Sequence, residues 1–284
     1  MKAMEMMMKV KQSGRRNPFN RTVKPSPIVL QARDEEIIKA VYEYGVLTGE
    51  QIERLFGFGC ATRRNVRLRS LFDHRFLERK FLPTLQGSAK ALYVLGPLGV
   101  PVVSSRLGVD PQEVKLRMKR AREIKEMFLR HRLQVNEFRI AFSLAAARTP
   151  GARFDRWHAE PEISETTIIP DAYCEYAWDE KRWSFFLELD RSTESHRRFK
   201  AKVDAYLKYG FSGKYQREFG LKFFRVLVVT ESDARRANLK KLVEGITDKM
   251  FWVAVISDLT PNSMFNTVWQ RPGKESLFTL MEIH

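Results

Sequence analysis

Apolar positions recur at helical spacing in the first third of the chain and at strand spacing beyond residue 150. Asp34-Glu35-Glu36-Ile37-Ile38-Lys39-Ala40-Val41-Tyr42 has acids in its first turn and apolar residues on one side, which predicts a helix ended by Gly45. Thr48 followed three residues later by Gln51 is a capping box, and it opens a second helix through Ile52, Leu55 and Phe56. A third helix is expected over Ala61 to Phe76, with Val66, Leu68, Leu71 and Phe72 inward and Arg63, Arg64, Arg67 and Arg69 outward. Leu77 to Leu82 and Lys90 to Leu95 read as short strands around a loop, Pro83 to Ala89. Asp110-Pro111-Gln112-Glu113 starts a helix running to about Arg132, with Leu116, Ile124, Met127 and Phe128 as its stripe. Another helix opens at His131 and reaches about Ala147, followed by a strand over Phe154 to Glu160.

The middle of the chain has the clearest pattern. Ile168 to Tyr176 and Trp183 to Asp190 are rich in aromatic and branched residues, and Trp178-Asp179-Glu180-Lys181 joins them as a tight turn. With Asp179 and Glu180 at the centre of the turn, Asp171 falls opposite Glu188. Alternation sends Glu188 and Asp190 to one face, and Phe185, Leu187 and Leu189 to the other. Directly opposed strand residues lie within ~5 Å of each other, so these carboxylates repel unless a proton or cation joins them. Hard oxygen ligands suit a divalent metal such as Mg²⁺ or Mn²⁺. A solvated acidic hairpin face is the alternative. A helix over about Thr193 to Tyr209 (Phe199, Val203, Tyr206 and Leu207 inward), a buried strand Phe223 to Thr230, a helix Ser232 to Glu244 and a strand Phe251 to Ile256 follow.

Charge sharpens the reading. The 284 residues carry a net charge of +16, which points to a polyanion: nucleic acid first, an anionic membrane surface second. Three short helices and a hairpin, with four arginines within seven residues of the third helix, predict a winged helix-turn-helix that contacts double-stranded DNA through Arg63, Arg64, Arg67 and Arg69. A helical bundle with a solvated charged face is the alternative. Residues 1–31 carry seven Lys/Arg against one acid with no apolar period, which predicts a basic disordered arm. The longest apolar run, Tyr93 to Val103, is broken by glycine and proline, so no membrane span is expected. The N-terminus has methionines and lysines but no continuous apolar stretch, so no secretory signal is expected, and a cytoplasmic location is the default. Cys60 and Cys174 lie far apart, and no zinc spacing or glycine-rich phosphate loop occurs.

Pro170-Asp171 followed by Glu188-Leu189-Asp190 on the next strand resembles the PD-(D/E)xK nuclease core. That resemblance implies an αβββαβ domain with metal held by Asp171 and Glu188, and a lysine two residues after the glutamate. Here that position is Asp190, which could only be a third acid. Some members carry the lysine on the following helix, where Lys200 and Lys202 stand; Lys202 lies beside the Phe199–Tyr206 stripe and is the expected catalytic cation, with Arg191 second. The family also implies a metal contact from Glu137 on the first helix.

The stretches Ala32 to Ile37, Tyr93 to Pro97, Pro170 to Tyr173, Phe186 to Ser195 and Arg225 to Thr230 resemble the replication-relaxation family of plasmid and mobile-element proteins. The expected fold is therefore α/β (α+β overall): an arm over 1–31, a winged helix-turn-helix over 32–106, a helical connector over 107–130, and a PD-(D/E)xK-like domain over 131–284. The resemblance implies DNA binding in replication or maintenance of a mobile element, and it leaves open a nuclease-like second domain retained without activity. A Mg/Mn-dependent DNA endonuclease is the rival reading, and a second copy of the chain is a further candidate partner.

Overall fold

The computed structural model describes residues 17, 19–82, 90–160, 168–191 and 194–282. The chain forms two compact units, Met1–Glu123 and Ile124–His284.

The first unit contains α1 (Ala32–Tyr44), β1 (Leu47–Thr48), α2 (Gly49–Phe56), α3 (Ala61–Asp73), β2 (Leu77–Phe81), β3 (Ala91–Leu95), α4 (Gly99–Leu107) and α5 (Pro111–Glu123). β3 is the centre of a three-stranded sheet, pairing antiparallel with both β1 and β2. The capping box at Thr48 forms as expected: its hydroxyl accepts from the Gln51 N–H while the Gln51 side chain accepts from the Thr48 N–H. Ile37, Ile38, Val41, Ile52, Leu68 and Leu71 make a core closed to solvent. Gly96 lets β3 turn across the end of α3, because a Cβ there would come within 2.2 Å of the Arg75 carbonyl.

Three expectations change in this unit. α5 packs on β3 and α1, so it belongs to the first unit, and the division falls at 123/124 instead of within a 107–130 connector. Most of its expected stripe is on the outside: Leu116 is exposed, as are Met127 and Phe128 beyond it, Ile124 is half-buried, and Val114, Ala121 and Leu129 are buried. Residues 19–31 are no unattached arm. Arg21 donates to the Phe72 and Leu77 carbonyls and pairs with Glu78, and the Thr22 N–H and hydroxyl both donate to Asp73. The remainder of the expected arm, residues 1–16 and 18, lies outside the described residues, as does the loop 83–89.

The second unit has the predicted αβββαβ order: α6 (Glu126–Arg148), β4 (Ala152–Ala159), β5 (Ala172–Trp178), β6 (Lys181–Asp190), α7 (His196–Phe211), then a short α8 (Lys214–Phe219) and β7 (Arg225–Thr230). It continues as α9 (Asp233–Glu244), β8 (Phe251–Val255), β9 (Trp269–Gln270) and β10 (Leu277–Phe278). The seven strands lie in the order β10-β9-β8-β7-β6-β5-β4; β4-β5-β6 is an antiparallel meander, and β6, β7 and β8 run parallel.

The hairpin register is the expected one, with Ala172 opposite Leu187 and Trp178 opposite Lys181 around a turn where Asp179 takes φ 53°. Period-two alternation then divides two cores. Phe185, Leu187, Cys174 and Tyr176 pack with Phe138 and Phe142 of α6 on one face. Phe186, Tyr173, Val226 and Val228 pack with Phe199, Val203 and Tyr206 of α7 and Leu239 of α9 on the other. The sheet is thus sandwiched between helical layers, and Glu188 and Asp190 point to the α7–α9 side.

Candidate functional site

β6 runs into the carboxyl end of the parallel part of the sheet, the edge where α/β folds gather ligands. Glu188 and Asp190 lie on that last stretch, and both are buried. A buried carboxylate needs a partner for each oxygen, and neighbouring elements supply them.

Glu188 is 4% exposed. Its Oε2 accepts from Lys202 Nζ at 2.7 Å and its Oε1 from the Tyr206 hydroxyl at 2.6 Å. Lys202 and Tyr206 stand one helical turn apart on α7, so a single helix face reaches both oxygens. Lys202 also donates to Glu194 Oε2 at 3.3 Å. Asp171 enters from the segment before β5. Its N–H donates to the Leu187 carbonyl, its Oδ2 accepts from the Leu189 N–H at 2.6 Å, and its Oδ1 accepts from His131 Nε2 of α6 at 2.7 Å.

Electrostatics follow this packing. Burial pushes the Glu188 carboxyl up to about 7, and Asp171 adds to that push, while Lys202 and Tyr206 oppose it. Burial alone would lower the Lys202 ammonium. Glu188, Glu194 and Asp171 more than offset it, so Lys202 is held charged above its ordinary value. Burial beside Glu188 raises the Tyr206 hydroxyl well above its usual range and keeps it a donor.

Lys202 therefore comes to the expected place, and the structure brings it together with Asp171 and Glu188. Asp190 does not join them as a ligand. Both its oxygens accept from Arg235 of α9, which also donates to the Glu194 carbonyl at 2.8 Å. The expectation of a third acid in the cluster is corrected by this pair. Glu137 lies on α6, and among the described residues no group of three or more His, Cys, Asp or Glu side chains stands together to hold a metal ion, so the four-residue ligand set does not form. Lys200 is exposed, as its place on α7 implied. Sequence reasoning missed His131, Tyr206 in a polar role, and Arg235. Only Tyr206 was signalled, by its place one turn from Lys202.

The acid pair itself fits a hard divalent cation. Each carboxylate oxygen accepts one donor and keeps one lone pair, and Mg²⁺ is commonly held by one or two carboxylates with water completing its shell. Asp171 and Glu188 would be the protein ligands.

In the first unit, the arginines expected to meet DNA divide sharply. Arg64 is buried: it pairs with Glu53 and donates twice to Asn65 Oδ1. Arg67 grips buried Asp34, donating to Oδ1 at 2.6 Å and also to Oδ2, and it donates to the Val29 carbonyl. Arg69 pairs with Asp73 at 3.0 Å and donates to the Asn17 and Asn20 carbonyls. Arg63 alone of the four is exposed with no such partner among the described residues. Val66, expected inside, is 67% exposed. The expectation of four outward arginines is thus corrected to one.

No helix among the described residues is long and apolar enough to cross a membrane. Among solved structures, the restriction endonuclease FokI matches with 14% identity and a TM-score of 0.32, over 82% of this chain and 44% of that one. FokI bound to DNA matches with 14% identity and a TM-score of 0.29, over 82% of this chain and 45% of that one. This chain thus spans less than half the length of either neighbour. Among curated protein sequences none matches. The replication-relaxation family model matches residues 38–223, and the chain belongs to the replication-relaxation family.

Proposed function

We propose that this protein binds duplex DNA through its first unit, in replication or maintenance of a plasmid or other mobile element, and hydrolyses a phosphodiester at the Asp171–Glu188 pair of its second. The observation that carries the catalytic half is the 2.7 Å contact between Lys202 and buried Glu188. It supports a reading in which a helix lysine supplies the charge of the motif lysine, where β6 has Asp190.

A divalent ion held by Asp171 and Glu188 would supply, when bound, polarisation of a phosphoryl oxygen and a water of lowered pKa. The chain's own residues do the rest. Lys202 presents a fixed ammonium to orient the attacking water and stabilise charge developing on phosphate oxygen. Tyr206 fixes the Glu188 carboxylate, and His131 and the Leu189 N–H fix that of Asp171, so the acids need not reorganise. Arg235 neutralises Asp190, which would otherwise repel the substrate from two residues away.

The binding half rests on the order helix, strand, two helices and paired strands, which fits a winged helix with α3 as the reading helix, and on the +16 charge. Supercoiled plasmid with Mg²⁺ or Mn²⁺ is the test. Wild type should nick it, chelation should stop the reaction, and Lys202→Ala or Glu188→Gln should lose at least about 100-fold in rate with duplex affinity unchanged.

A second reading, duplex binding without cleavage, is favoured by one observation: all four oxygens of the acid pair already accept from protein groups. Absence of Mn²⁺ binding by calorimetry, together with intact plasmid, would decide for it.

A further inference from the structure

α3 carries more polar surface than it can offer to a ligand. Arg64, Arg67 and Arg69 end on Glu53, Asp34 and Asp73, and their removal from the surface changes what this helix can read. Asn65 is exposed, yet its Oδ1 accepts two N–H groups of Arg64, at 3.1 and 3.0 Å. Both lone pairs of that oxygen are used, so Asn65 keeps only donors and cannot make the acceptor-plus-donor pair by which asparagine selects adenine.

Two unusual side chains remain on the exposed surface. Arg63 is solvent-exposed without an intramolecular hydrogen bond or ion pair among the described residues. Val66, three residues on, is a β-branched apolar side chain at 67% exposure in mid-helix. Positions i and i+3 share a helix face, about 4.5 Å apart along the axis, which falls between one and two base-pair steps of about 3.4 Å. A guanidinium pairs with the O6 and N7 of guanine, and an apolar side chain with the thymine methyl, both in the major groove.

We infer that α3 reads DNA with Arg63 and Val66, selecting a guanine and a thymine one or two base pairs apart, while Arg64, Arg67 and Arg69 only hold the helix in place. This rests on the duplex-binding reading above. It makes the ligand a duplex with a specific G/T element rather than any polyanion.

The full-length protein should select from a random duplex pool a motif containing that element. By fluorescence anisotropy on the selected duplex, Arg63→Ala should lose roughly 5- to 150-fold of its preference for guanine at one position. Arg63→Lys should lose the same preference while keeping the salt dependence, because a lysine supplies charge without the fork. Replacing the thymine by deoxyuridine removes only the methyl group; it should weaken wild type a few-fold and leave Val66→Ser unaffected. Circular dichroism of the three exposed-site variants should match wild type. If selection enriches a motif that Arg63→Ala and Val66→Ser bind as wild type does, the inference fails and duplex binding stands. If no duplex is retained above background, the duplex-binding reading fails, and this one with it.

Discussion

Lys202 and Arg235 both end on acids of β6, but they do different things with them. Arg235 is the more enclosed pair: its fork meets Asp190, whose side chain is 2% exposed. Removing Arg235 leaves that carboxylate buried and uncompensated, so Arg235→Ala should cost about 3–5 kcal/mol in urea unfolding. A loss below ~1 kcal/mol would show that Asp190 finds water or another partner. Placing a lysine at position 190, as the nuclease motif would have it, should fail for the same reason. Asp190→Lys sets two cations against each other in a dry site, and it should neither fold well nor rescue Lys202→Ala; recovery of plasmid nicking in that double variant would sink the argument.

At the scale of the element, α3 shows what a helical pattern hides. Asp34 is 1% exposed at the start of α1 and held by Arg67, so Arg67→Ala should destabilise the first unit by about 3 kcal/mol or more. Arg63→Ala on the same helix should stay within about 0.5 kcal/mol, as surface changes do. Equal losses in thermal melts would contradict the division of α3 into holding and exposed arginines. The hairpin β5–β6 was legible because its signals were local: a turn, two alternating runs, and a register that follows from both. Glu188, Asp171 and the position of Lys202 came with it. The orientation of α3 was not legible. Its inward face is set by acids on α1 and α2, 33 and 11 residues away, so an arginine points in and Val66 points out. Asp190 was misread for the same reason, since Arg235 lies 45 residues further along the chain.

For the whole molecule, charge and division matter more than any one contact. With a net charge of +16, duplex affinity should fall linearly with salt on logarithmic axes, at a slope of about −0.9 per phosphate neutralised. Anisotropy titrations between low and moderate salt would check this, and a flat response would exclude a phosphate-driven mode. Cutting the chain at 123/124 should give two fragments that each melt cooperatively, because each has its own buried core. Retention of duplex affinity by the first fragment alone is the expected result, and its loss would show that binding needs both.

The final residues of the second unit are part of its interior. Trp269 and Leu280 are fully buried, and Arg225, in the middle of the sheet, donates to the carbonyls of Leu280 and Glu282. The packing of the core around α6 is therefore complete only with this tail in place. At roughly 5–20 residues per second, the first unit has some seconds as a folded nascent domain before the second can close. On the function proposed above, duplex binding would become available before hydrolysis, and the order of synthesis would set the order of the two.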